Sequence, residues 1–198
     1  MSRAQALLDE TRAYAAREFI PILSEDCERV LCDLVARLQP RRILEIGTAI
    51  GYSAARMALA CDARIDTIER DEARIAYALR LWKDLGVDER IRLHRGDADE
   101  ILPSVVRGAR YDLVFLDGPK SRYGEQLDVV MPALSAGSVV VCDDVHYFGY
   151  VTSGEYPPHK HRTIVCKMRA FLERIRRDER MRAQIYDQGN GIAVITIR

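Results

Sequence analysis

The sequence predicts an α/β fold: a doubly wound, mostly parallel seven-stranded sheet closed by a C-terminal antiparallel hairpin. Three observations carry this. After Pro40 short apolar runs alternate with helical segments at the spacing of βαβ units. Tyr111–Leu116 (YDLVFL) and Ser138–Cys142 (SVVVC) are nearly continuous apolar runs, as strands covered on both faces require. Near the end, Gln184–Tyr186 and Ile192–Ile197 bracket Gln188-Gly-Asn-Gly191, a hairpin turn signal. Right-handed crossovers then place helices on both faces, a Rossmann-like arrangement.

The elements follow in order. Residues 1–38 read as helical, with Pro21 and Ser24 marking a break and a new helix start. Arg42–Ile46 is a strand, Gly51–Cys61 a helix, Arg64–Glu69 a strand, and Asp71 to about Leu85 a helix. Arg90–Arg95 is the third strand and Ala98–Leu102 a short helix. Tyr123–Leu134 is helical between the two apolar strands, and Thr163–Arg177 is an amphipathic helix. This gives a single domain, with residues 1–38 as a helical cap and 39–198 as the core.

Composition narrows the function. Lys+Arg and Asp+Glu are equal at 30 each, so no net charge draws the chain to nucleic acid or membrane, although a local basic face would suffice for nucleic acid. No apolar run approaches a membrane span, and Met1–Tyr14 lacks the apolar core of a signal peptide, so the expectation is a cytoplasmic protein. Five cysteines without a CxxC pair speak against a disulfide framework and a structural zinc site.

The loop after the first strand, Glu45-Ile-Gly-Thr-Ala-Ile-Gly-Tyr-Ser53, lies where open α/β sheets bind ligands. Its glycines, Gly47 and Gly51, are four apart, so it is neither GxGxxG nor a P-loop. The turn and the helix start at Ser53 suit a single carboxylate. Glu69, at the end of the second strand, can accept from both hydroxyls of a ribose, or simply cap the next helix. Asp97, in Gly96-Asp-Ala98, can accept an adenine amino hydrogen. Carboxylate anchor, ribose acid and adenine site together describe S-adenosylmethionine.

Glu45–Met57 (EIGTAIGYSAARM), Ile68–Asp71 (IERD), Gly96–Ala98 (GDA) and Phe115–Asp117 (FLD) resemble the cation-dependent O-methyltransferases. That family includes catechol and caffeoyl-CoA methyltransferases and a bacterial tRNA 5-hydroxyuridine methyltransferase. The resemblance implies a class I methyltransferase fold, with Glu45, Gly47, Ser53, Glu69, Asp97, Ala98 and Asp117 around the cofactor.

Asp117 ends the YDLVFLD strand, and Asp143 and Asp144 end SVVVCDD. On neighbouring strands these ends are about 5 Å apart, and converging carboxylates call for a divalent cation; all-oxygen donors suit Mg²⁺, Mn²⁺ or Ca²⁺. Helix capping by Asp144 and a salt bridge at Asp117 are the alternatives. The family pattern has Asp, then Asp-Asn; Asp144 replaces the asparagine. Lys120, in Asp117-Gly-Pro-Lys-Ser-Arg-Tyr123, matches the Asp-x-x-Lys-x-Arg-Tyr run whose lysine is the family's proposed general base; here it requires a lowered pKa, or else is an ion-pair partner of the aspartates. Gly118-Pro119 replaces the larger side chains of the catechol enzymes and implies a roomier or differently shaped pocket.

His146–Arg162, rich in Gly, Pro, Tyr and His, reads as a substrate lid, and His159-x-His161 as solvated rather than metal-binding. Arg162-Thr-Ile-Val165 resembles the tRNA-modifying branch. The arginines of 169–182 are interleaved with Glu173, Asp178 and Glu179, the pattern of a salt-bridged surface. The implied activity is methyl transfer to a small catechol-like or other vicinal hydroxyl. The alternatives are wobble 5-hydroxyuridine in tRNA and a S-adenosylmethionine-binding protein without turnover. Amphipathic faces in the first 38 residues suggest a homodimer.

Overall fold

The computed structural model describes residues 2–198. The chain resolves into two compact units, residues 1–98 and 99–198. Its strands form one seven-stranded sheet in the order β3-β2-β1-β4-β5-β7-β6.

In the first unit α1 (Arg3–Arg17) and α2 (Glu25–Leu38) precede β1 (Arg42–Ile46), α3 (Tyr52–Ala60), β2 (Arg64–Glu69), α4 (Glu72–Leu85) and β3 (Ile91–Arg95). Ser24 caps α2 by accepting from Cys27 N–H, which is why the chain restarts there after Pro21. The strands β1, β2 and β3 pair in parallel, with Ile43 opposite Ile65 and Ile65 opposite Ile91. Ile43, Leu44, Ile46, Met57 and Trp82 fill the core. A polar cluster ties the helices together: Glu28 accepts from Arg12 (2.5 Å) and from the Tyr52 hydroxyl (2.8 Å), and pairs with Arg56 (2.6 Å). Burial, and then Glu28, hold the Tyr52 phenol up at about 12, so it stays protonated and donating.

In the second unit α5 (Ala98–Val106) begins at the boundary, followed by β4 (Leu113–Leu116), α6 (Tyr123–Val130), β5 (Val139–Asp143), α7 (Arg162–Arg177), β6 (Met181–Tyr186) and β7 (Ile192–Ile197). Here β4 and β5 run parallel, whereas β5–β7 and β7–β6 are antiparallel. The seven strands and the terminal hairpin agree with the sequence pattern. Three boundaries differ, and one is β6, which starts at Met181 and not at Gln184. α5 continues past Leu102 through Pro103 to Val106, and the proline removes the N–H that would donate to the Asp99 carbonyl. The helix after β4 stops at Val130 and tightens into a 3-10 turn, Met131–Ala133, around Pro132. Among the described residues no helix is long and apolar enough to cross a membrane.

Gly51 is the tightest point of the first unit. Its φ is +80°, and a Cβ there would meet Ala78 Cβ and Trp82 Nε1, both at 2.7 Å. Trp82 also donates its indole N–H to the Gly51 carbonyl at 2.8 Å. Gly51→Ala combines a left-handed backbone with overpacking, so it should cost about 2–4 kcal/mol in urea unfolding. A cost under about 0.5 kcal/mol would show that this packing does not constrain the loop.

Candidate active site

The first unit carries a loop held from beneath. Glu45 is fully buried, and its two oxygens accept from Ser53 Oγ (2.6 Å) and Thr67 Oγ1 (2.5 Å). Thr48 Oγ1 extends this network to Thr67 at 2.6 Å. A buried carboxylate is tolerated only when its lone pairs are met, and two hydroxyl donors with charge-assisted bonds meet that need. Glu45 thereby couples β1, β2 and the first turn of α3. Ser53 spends its hydroxyl on Glu45, so the helix start offers a ligand its backbone N–H groups.

Above this strut the loop turns through left-handed residues: Gly47 (φ +104°), Ala49 (+46°) and Gly51. The N–H groups of Gly47 and Thr48 both donate to the Ile68 carbonyl, at 3.2 and 3.1 Å. Glu69 accepts from Ala49 N–H through Oε2 (2.9 Å), and from Arg70 and Asp71 N–H through Oε1 (2.9 and 3.0 Å). The cap of α4 is Asp71, which accepts from Ala73 and Arg74 N–H. Glu69 is therefore left at the loop rather than consumed by the helix. Asp97 accepts from Arg70 Nη1 at 2.6 Å, and Ala98 opens α5. Gly47, Glu69 and Asp97 each follow the carboxyl end of a parallel strand, which fits an adenosyl ligand with ribose hydroxyls and an exocyclic amine.

The second unit gathers acids around one lysine. Lys120 Nζ donates to Asp117 Oδ1 at 2.8 Å and to Tyr123 Oη at 2.9 Å, and Tyr123 Oη donates to the Asp143 carbonyl at 3.0 Å. Tyr123 is buried and packs edge-on against Phe171, so this anchor is rigid. Burial pushes Asp117 up to about 6, with Lys120 opposing and Asp143 adding to the rise. For Lys120 the sequence reading required a lowered pKa, and the structure gives the opposite. Burial works against the ammonium, but Asp117, Tyr123 and Asp143 outweigh it and hold the proton well above the ordinary lysine range.

Asp144 has φ +56°, in the left-handed region, and burial raises its carboxyl. Charges on Lys120 and Asp117 act on it, so the three groups share one environment. Among the described residues no three acids, histidines or cysteines gather closely enough to hold a metal ion, so the expected convergence of Asp117, Asp143 and Asp144 is not closed. The Lys120 ammonium stands on Asp117 instead. Buried Oδ1 atoms of Asp143 and Asp144 nevertheless have no hydrogen-bond partner, and that donor chemistry fits a hard cation.

The segment after β5 turns back on itself. Tyr147 (φ +43°) and Phe148 (φ +54°) are consecutive left-handed aromatic residues. Tyr147 Oη meets His161 Nδ1 at 3.0 Å, Tyr150 stacks on His161, and Arg169 donates to the carbonyls of Tyr150, Val151 and Glu155. His161 is thus an aromatic partner of the loop. Arg162 lies over the Tyr156 ring, Arg174 pairs with Asp128, Arg177 with Glu173 and Arg180 with Asp178. Arg174 and Arg177 in the helix, and Arg180 just beyond it, are salt-bridged as the interleaved acids imply, whereas Arg162 and Arg169 are turned to the loop.

Sequence reasoning missed Thr67, Arg70 and the anchoring role of Tyr123. A threonine inside the strand, between Asp66 and Ile68, is the one signal that was present. The fold and the loop define a S-adenosylmethionine-dependent methyltransferase. The O-methyltransferase family model matches residues 2–197, and the chain belongs to that family. It is 30% identical over 145 residues to the catechol O-methyltransferase of Niastella koreensis, covering 71% of this chain and 66% of that one. It is 29% identical to tapetum-specific methyltransferase 1 of Arabidopsis thaliana, over 81% of this chain and 71% of the relative. The O-methyltransferase TomG of Streptomyces achromogenes, solved in complex with S-adenosylmethionine, superposes with a TM-score of 0.86 at 28% identity, over all of this chain and 90% of that one. The protein is a S-adenosylmethionine-dependent O-methyltransferase.

Glu69→Gln replaces an acceptor that serves three N–H groups with a group that can only half serve them. S-adenosylhomocysteine affinity, measured by titration calorimetry, should weaken about tenfold or more. Unchanged affinity would remove Glu69 from the cofactor site.

Proposed function

We propose that this single-domain enzyme methylates one hydroxyl of a small catechol-like or other vicinal-hydroxyl acceptor, with a divalent cation assisting. Glu69, Asp97 and the loop Gly47–Ser53 bind the cofactor, which supplies an electrophilic methyl on a sulfonium and leaves as S-adenosylhomocysteine. Asp117, Asp143 and Asp144 would hold the cation, whose positive charge lowers the pKa of an adjacent hydroxyl and loosens the Lys120 proton. Lys120 Nζ, fixed in place by Asp117 Oδ1 and Tyr123 Oη, would release its own proton to solvent when the cation is bound and then receive the acceptor's proton. The acceptor oxygen forms its bond to the methyl carbon as the carbon–sulfur bond breaks, and the electron pair stays on sulfur. Orientation by these rigid partners contributes up to roughly 7–11 kcal/mol.

The observation that carries this reading is the pair of buried, unmatched carboxylate oxygens of Asp143 and Asp144 in one environment with the Lys120–Asp117 pair. A small acceptor is favoured over tRNA because Arg174, Arg177 and Arg180 are engaged by acids of their own unit. The catechol relative supports the same acceptor class.

Asp117 titrates at about 6, above its ordinary value, so its charge is present at neutral pH and lost as pH falls through 6. Turnover on catechol should therefore fall toward acid with a midpoint at or below 6, since a bound cation lowers the carboxyl. Asp117→Asn should lower kcat/KM about 10²–10⁴-fold. Chelation should do likewise, with recovery on adding Mg²⁺. Full activity in both the variant and the chelated enzyme would sink the proposed role of this site.

A further inference from the structure

A second concave site lies at the opposite ends of the strands that carry the cofactor loop. A cleft of about 570 Å³ is lined by Arg42, Arg64, Asp66, Glu89, Arg90 and Arg92, together with Ile65 and Ile91. Pockets of this size accept small molecules. It sits at the amino ends of β1, β2 and β3, whereas Gly47, Glu69 and Asp97 follow their carboxyl ends. Five residues of strand separate the two, about 15 Å.

The register makes the cleft unusual. Arg42 pairs with Arg64, and Asp66 with Arg92, so these four side chains share one face of three parallel strands. Such strands are ordinarily apolar on both faces. Two arginines directly opposite one another repel, and a sheet tolerates this only with an anion nearby. Asp66 is that anion for Arg42: Nε and Nη2 of Arg42 both donate to its Oδ2, at 3.1 and 2.9 Å. Its Oδ1 meets His94 Nε2 at 2.8 Å, so this carboxylate is fully used. Arg90 is turned to the end of α3, where it donates to the Ala58 and Cys61 carbonyls, both at 2.6 Å. The side chains of Arg64 and Arg92 are exposed and make no hydrogen bond or ion pair with any described residue. Four arginines against two acids leave the cleft with two excess positive charges, on a chain whose overall charge is balanced.

We infer that this cleft is a binding site for a small phosphorylated anion, distinct from the methyl-transfer site, with Arg64 and Arg92 as its principal donors. Phosphate is the class indicated because two guanidinium forks on adjacent strands match tetrahedral oxygens bidentately, and because the charge excess equals that of one or two phosphoryl groups. The cleft has room for a nucleotide as well as for inorganic pyrophosphate.

The test is calorimetric titration of the full chain, saturated with S-adenosylhomocysteine to block the cofactor site, with ADP and separately with pyrophosphate. Millimolar or tighter binding of at least one is expected. Arg64→Gln/Arg92→Gln, two exposed positions, should weaken it at least tenfold while S-adenosylhomocysteine affinity is unchanged. Arg29→Gln, an exposed arginine paired with Asp26 elsewhere, should leave it as in the parent. ADP binding tenfold tighter than pyrophosphate assigns a nucleotide; equal affinities assign the phosphoryl groups alone. No binding of either at millimolar concentration, or equal binding by the double variant, overturns the inference.

Discussion

The buried carboxylate of Glu45 is the constraint on which the cofactor-binding half of this enzyme depends. An unmatched charge at a fully buried position would cost several kcal/mol, so the chain must deliver donors to both oxygens. Ser53 comes from the first turn of α3 and Thr67 from β2. Satisfying Glu45 therefore fixes where the helix begins relative to two strands, and the loop between has little choice of path. Gly51 makes that path possible, because Ala78 and Trp82 leave no space for a side chain. The Arg12–Glu28–Tyr52 cluster then ties the same helix start to α1 and α2.

The second unit solves a related problem differently. Its acids are brought together at the ends of β4 and β5, and the positive charge beside them is Lys120. Tyr123 accepts from the ammonium and donates onward to the Asp143 carbonyl, so one phenol positions the lysine against the backbone of the neighbouring strand. Asp144 adds a carboxylate where the family pattern has an asparagine, and burial raises its carboxyl. The result is an electrostatically loaded site in which protonating one carboxyl changes the charge that its neighbours feel.

The architecture was legible in the sequence because it rests on periodicity. Continuous apolar runs at Leu113–Leu116 and Val139–Cys142 can only be strands covered on both faces, and Gln188–Gly191 can hardly be other than a turn. The order of Gly47, Glu69 and Asp97 along successive strand ends was legible for the same reason. What sequence could not resolve was allegiance between side chains. That Asp71 and not Glu69 caps α4 depends on which side chain reaches Ala73 and Arg74 N–H. Lys120 looked like a base awaiting a lowered pKa, but the sign of its shift depends on how closely three acidic groups surround it, a three-dimensional quantity. The short helix expected over Ala98–Leu102 runs on to Val106, since its end was set by packing that the local sequence does not display.

The central claim is that the methyl group goes to a hydroxyl oxygen of a small acceptor positioned by Lys120 and its aspartates. The most direct measurement supplies methyl-labelled S-adenosylmethionine and Mg²⁺ with catechol in one reaction and with unmodified tRNA in another, and identifies products by mass spectrometry. The account predicts label in a mono-O-methyl catechol and none in tRNA. Label confined to tRNA nucleosides would contradict it.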